Sequence, residues 1–252
     1  MESMCAADLR WGIVLKGHTV DIDVWQRFFA KPFYPYVEET SLGVALWSLG
    51  IQEARNSLEA WELCKIEIQL MNSIVLNSYG GEWIEADCVI ELDRNGDLKK
   101  HAIIEPQPIK IRMSVGAPTI SIGGEYSTVN EQSYALTLQQ DWWSMAKHDD
   151  ILADILLHGS KNNDWIEMYK VIEKVEQIFG GEYALKKAVA TETAISAESI
   201  AQLKRTANFY HRHASGKYSP PANPTSLKEA KKVISRLIQF AFTTRARDSE
   251  GK

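Results

Sequence analysis

Ala86-Asp87-Cys88-Val89-Ile90-Glu91-Leu92-Asp93-Arg94-Asn95-Gly96-Asp97 is the stretch whose reading decides the fold. Ala86, Cys88, Ile90 and Leu92 share one face of an extended strand, because side chains alternate across a strand with period two. Asn95-Gly96 then supplies the positive φ values that a type I′ turn requires, so the segment predicts a β-hairpin. Further on, Ile109, Ile111, Met113 and Val115 alternate with Lys110, Arg112 and Ser114 in a later strand candidate, set off by Pro106 and Pro108.

Upstream of the hairpin, Ile13-Val14-Leu15 reads as a short strand ended by Gly17, and residues 21–29 as a short helix with acidic residues in its first turn. Pro32 and Pro35 stop that helix. Residues 44–49 read as a strand closed by Gly50. From Glu53 to Asn77 the apolar positions Leu58, Trp61, Cys64, Ile68, Met71 and Val75 recur every three or four residues, the stripe of an amphipathic helix. The order, roughly βαβαβββ, predicts an antiparallel or mixed sheet with helices on one side.

Downstream the pattern changes. Gly116, Pro118, Gly123 and Gly124 among many Ser, Thr and Gln mark a connector over 116–140, with one short strand candidate at 119–122. Helical periodicity then dominates, with candidates over 141–157, 164–179, 196–210 and 226–242. Asp164 caps the second, Gly180-Gly181 ends it, and Ser226 with Glu229 forms a capping box for the last. The fold class expected is therefore α+β: a mixed sheet-and-helix domain over 1–115 and an all-α bundle over 141–252.

With 45% hydrophobic and 24% charged residues the chain falls among globular proteins, which excludes disordered, collagen-like and disulfide-stapled classes. It holds no apolar run of about 18 residues, and the start Met1-Glu2-Ser3-Met4-Cys5 lacks the basic and apolar regions of a signal peptide, so a cytoplasmic location and no membrane partner are expected. Cys5, Cys64 and Cys88 show no CxxC spacing, and Cys64 and Cys88 read as small buried hydrophobes. The net charge of −5 is unevenly spread. Residues 201–252 carry eleven Lys and Arg against Glu229, Asp248 and Glu250, a net +8, leaving −13 for the rest. Such a basic end attracts a polyanion or docks on an acidic surface.

Within that end, Lys204-Arg205-Thr206-Ala207-Asn208-Phe209-Tyr210-His211-Arg212-His213-Ala214 packs three cations and two histidines into eleven residues. An imidazole beside a guanidinium acts on a phosphodiester by acid–base transfer and by stabilising the developing negative charge. Arg205 and His211, with five residues between them, are the candidate catalytic pair, and Arg212 with His213 the alternative.

Asp164-Trp165, Tyr169, Glu173, Ala207-Asn208, Arg212-His213-Ala214, Pro220-Pro221-Ala222-Asn223-Pro224 and Glu229-Ala230 together resemble the pattern of a family of uncharacterised bacterial proteins. Their helical domain is similar in outline to the HEPN fold. That resemblance implies an accessory or defence-type protein and, from the active HEPN members, an RNase using an Arg, four to six residues, then a His, with a site composed from two protomers. Arg205 and His211 match that spacing; Arg212 and His213 do not.

Two further readings stand beside catalysis. Asn208, Arg212 and His213 can instead hydrogen-bond across the bundle to Asp164 or Glu173, with Tyr169 beside them, and hold helices in register without chemistry. Alternatively Lys204, Asn208, Lys231 and Lys232 bind RNA or another polyanion without cleaving it. A protein partner or a homodimer is expected in either case. No metal and no cofactor is expected: His211 and His213 at i and i+2 point to different helix faces, and neither Gly80-Gly81 nor Gly123-Gly124 continues as a phosphate loop. Trp142, Trp143 and Trp165 read as packing residues.

Overall fold

The structure is a computed structural model that describes residues 9–103, 129–161, 163–192, 195–212 and 221–250. In chain order the elements are β1 (Trp11–Lys16), α1 (Thr19–Phe28), β2 (Tyr36–Thr40), β3 (Gly43–Trp47), α2 (Leu49–Gln52), α3 (Ser57–Ser78), β4 (Glu85–Leu92) and β5 (Leu98–His101). Then follow α4 (Val129–His148), α5 (Asp150–Gly159), α6 (Trp165–Phe179), α7 (Glu182–Glu192), α8 (Ala197–Ala207), a π-helical turn (Asn208–Arg212) and α9 (Leu227–Glu250). The class is α+β, with the sheet in the N-terminal part and the helices mostly C-terminal.

The five strands form one antiparallel sheet in the order β2-β3-β1-β4-β5. Trp11, Ile13, Leu15, Val37, Leu46 and Val89 face the helices, while Val14, Tyr36, Ala45, Trp47, Cys88 and Ile90 form a second apolar cluster on the other face. Cys64 and Cys88 are buried, and the Cys64 thiol donates to the Trp61 carbonyl at 3.0 Å. Cys88, Ile90 and Leu92 share a face as their spacing predicts, but Ala86 packs with the helix-side core instead. The reason is a bulge: Val14 pairs with Cys88 and Leu15 with Ala86, so β4 carries one extra residue there and the alternation slips by one.

The hairpin stands where Asn95-Gly96 places it, with a different turn. Gly96 has φ +86°, whereas no residue other than glycine has positive φ among those described, so Asn95 does not adopt the type I′ geometry. Asp93 N–H donates to the Asp97 carbonyl at 2.9 Å, Gly96 N–H to the Asp93 carbonyl at 3.0 Å, and the Asp93 carboxylate accepts from the Asn95 and Asp97 amides. That is a three-residue loop with glycine in the left-handed position.

Helix ends differ from expectation where a cap intervenes. The helix expected over 141–157 is two, because Asp149 accepts from the Ile151 and Leu152 amides at 2.9 and 3.2 Å and starts α5 afresh. Helix α4 begins at Val129, inside the expected connector; residues 104–128, with the strand candidates at 109–115 and 119–122, lie outside the described residues. Asp164 and Ser226 with Glu229 cap α6 and α9 as expected.

Among the described residues one apolar cluster runs from the sheet through α1 and α3 into α5, α6 and α9, with Trp142 and Trp143 inside it. Polar seams tie α3 to the later helices. Gln69 donates to Ser160 at 3.0 Å, and Ser235 and Gln239 of α9 donate to the Asn77 carbonyl at 3.1 and 2.8 Å. No helix among the described residues is long and apolar enough to cross a membrane.

Candidate functional site

Helix α6 organises the site. Asp164 accepts from the Ile166 and Glu167 amides, fixing the first turn so that Trp165 and Tyr169, four residues apart, look toward α8 and the π turn. The Trp165 and His211 rings stack face to face, 4.9 Å between centroids and 4° between planes. Tyr169 is buried beside Lys204, whose Nζ lies 5.7 Å from the ring centroid. Trp165 and Tyr169 thus meet His211 and Lys204, residues of the basic cluster at the end of α8.

Lys204 is held more firmly than Arg205. Its Nζ is 2.7 Å from Glu176 Oε1 and 3.0 Å from Glu182 Oε2, and its side chain keeps only 14% of its exposure. Burial alone pulls the ammonium pKa down, but the hydrogen bonds to Glu176 and Glu182 outweigh it and leave it raised. Glu182 in turn is pulled down to about 2, first by Lys186 and then by Lys204. Lys204 therefore joins α6, α7 and α8, and its charge is already satisfied within the fold.

Arg205 points elsewhere. It is exposed and reaches Glu198 at 3.4 Å, while His211, also exposed, lies on Trp165. Among the described residues no hydrogen bond, ion pair or ring contact joins Arg205 to His211. Thr206, between Arg205 and the π turn, is buried; its hydroxyl donates to the Gln202 carbonyl at 2.9 Å and accepts from the Thr225 amide at 3.0 Å. That bond pins the start of α9 to the end of α8. Asn208 closes α8, its amide bonded to the carbonyls of Lys204 and Arg205, and opens the π turn. The Arg212 side chain and all of His213 lie outside the described residues, so the alternative pair and the bonds expected of it to Asp164 or Glu173 fall there too.

On α9, Lys232 is exposed and Lys231 half-buried. Lys232 and Arg236 form one wall of a groove of about 390 Å³ whose other wall is Ser199 and Gln202 of α8, closed by Asn223-Pro224-Thr225. The carboxylate at its mouth, Glu229, is engaged by the Ser226 amide and hydroxyl at 3.0 and 2.8 Å, which hold it below the usual carboxylate range.

A second, wider groove of about 850 Å³ runs along α6 past His158, Lys170, Glu173, Lys174 and Gln177, and sequence reasoning gave no sign of it. His158 Nδ1 sits 2.8 Å from Glu167, which also accepts from Lys170 at 2.7 Å. Burial pushes the Glu167 carboxyl up, and the bonds from Lys170 and His158 with the nearby Lys161 charge overcome it, to about 2. The one sequence signal was an acid in the first turn of a capped helix, facing a histidine in the last turn of the helix before it. Among the described residues no group of three or more His, Cys, Asp or Glu is placed to hold a metal ion.

No protein-family model, curated protein or solved structure matches the chain.

Proposed function

We propose that the helical half of this protein binds a polyanion, RNA foremost, along the outer face of α9. The observation that carries the reading is a stripe of cations at the α8–α9 groove. Lys228, Lys232 and Arg236 are exposed and four residues apart, hence about 6 Å from one to the next along the helix. A phosphate backbone is a line of charges that such a row can follow. Glu229, which follows Lys228 in the chain, has its carboxylate engaged by Ser226. Lys204 is not part of the binding surface in this reading, since two carboxylates already hold it.

The test is anisotropy titration of a labelled 20-nucleotide RNA between 50 and 200 mM salt. Affinity falls steeply with salt, and Lys232→Glu with Arg236→Glu weakens it and flattens the slope, since each phosphate that is no longer neutralised removes about 0.7–0.9 from it. Absence of binding at 50 mM refutes the proposal.

One observation favours cleavage as a second reading: the His211 ring is exposed yet held in a fixed plane by Trp165. In that reading Arg205 and His211 act on the bound strand, with the second copy of the pair supplied by a homodimer. His211→Phe, which keeps a ring on Trp165, then abolishes RNA degradation without lowering the melting temperature, and sedimentation finds a dimer. A cytoplasmic, accessory or defence-type role belongs to the same proposal.

A further inference from the structure

The π turn that ends α8 carries three successive rings, Phe209, Tyr210 and His211. Tyr210 is 52% exposed, and Phe209 meets it edge-on at 4.7 Å and 87°, so its ring is braced from one side. Next to it the His211 and Trp165 rings are already stacked on each other, and Tyr210 stands 6.3 Å from His211. A π turn widens the helix by one residue per turn and re-aims the side chains it carries, a device common at functional positions.

One hydrogen bond links the chain that carries this cluster to the chain that enters α9. The Thr225 amide bonded to Thr206 places the start of α9 at the α8 terminus, from which the π turn continues two residues later. Lys228 is three residues beyond Thr225. The Thr206–Thr225 bond thus joins a helix end that carries aromatic rings to a helix that carries spaced cations, and rings with cations are the combination that grips unpaired bases and phosphates together. A duplex offers the same phosphates but keeps its bases stacked inside.

We infer that this junction selects single-stranded nucleic acid, with an unpaired base stacking on Tyr210 while the backbone follows Lys228, Lys232 and Arg236. The inference rests on the polyanion reading above and adds to it the class of strand. A base has a π face in RNA and in DNA alike, so Tyr210 itself does not choose between the two sugars.

The experiment compares three labelled probes of equal length at 100 mM salt: an unstructured RNA, the same sequence as DNA, and an RNA duplex. The parent, Tyr210→Ala, Tyr210→Phe and Lys232→Glu are titrated with each. The expected result is a single-strand preference that Tyr210→Ala removes, weakening single strands at least about 5-fold while leaving the duplex within 2-fold. Tyr210→Phe, which keeps the ring, retains the preference, and Lys232→Glu weakens all probes together. RNA bound better than DNA identifies RNA as the source of the strand, and the reverse identifies DNA. Equal affinity for single strand and duplex, or Tyr210→Ala behaving as the parent, overturns the inference while leaving the polyanion reading intact. No binding of any probe overturns both. Melting of each variant within about 2 °C of the parent confirms that a changed affinity reports on the surface.

Discussion

Lys204→Met separates a structural cation from a binding one. Methionine keeps most of the apolar stem against Tyr169 and removes only the charge that Glu176 and Glu182 share. The tighter pair, at 2.7 Å with both side chains 14% exposed, falls between surface pairs, worth about 0–1 kcal/mol, and buried ones, whose breakage costs about 3–5 kcal/mol. An expected loss of about 2 kcal/mol lowers the melting temperature by about 4–8 °C in a chain of this size. Thermal unfolding followed by circular dichroism at pH 7 measures it. The acid side sets the pH dependence. Glu182 has its folded value pulled down to about 2, so the stability it contributes is fully present above about 4.5 and is lost as pH falls through 2. Lys204, raised above 10.5, contributes stability that is present below that value and lost as pH rises through its folded value. The gap between parent and variant is therefore widest from about pH 5 to 10. RNA affinity stays at the parent's value. Melting of the variant within about 1 °C of the parent, or a loss of RNA binding equal to that of Lys232→Glu, refutes the assignment.

Thr206→Val leaves the half-buried Thr225 amide without its acceptor, and a loss of about 1 kcal/mol is expected, with faster hydrogen exchange at Thr225. Glu67 is buried with Oε2 unbonded and Lys147 3.4 Å from Oε1; burial pushes its carboxyl up, so its ionisation costs stability as pH rises from 4.5 through the raised value. Glu67→Gln should accordingly raise the melting temperature at pH 7 relative to the parent and narrow the difference at pH 4. At Gly159 an added Cβ would stand 2.6 Å from Ile238 Cδ1, and Ile238 is wholly buried. Gly159→Ala then costs about 1–3 kcal/mol of crowding against about 1 kcal/mol of helix propensity gained. In an Ile238→Val background, which lacks that methyl, the same alanine becomes stabilising. Denaturant titration of the four proteins reads the change of sign.

Local chemistry was legible in the amino-acid sequence because its cause lies within a few residues. Asp164 caps α6 by bonding amides two and three residues on, Ser226 and Glu229 bond each other three apart, and Asn95-Gly96 marks a reversal that only a glycine-bearing loop makes easily. The α+β class followed from the change of apolar period between the two halves. The same locality misled where two signals compete: Asp149 lies between apolar stretches that share helical spacing, and the folded chain shows its carboxylate capping α5 and so dividing them into α4 and α5. The partners of Lys204 are 28 and 22 residues away, and the neighbour of His211 is on another helix, so no spacing rule reports them. In the sequence Lys204, Arg205 and Lys232 are equivalent basic residues. Packing makes the first a clasp between three helices, gives the second a solvent-facing ion pair, and leaves the third at the edge of a groove, because the charge of a lysine is local but the field it meets is set by the whole fold.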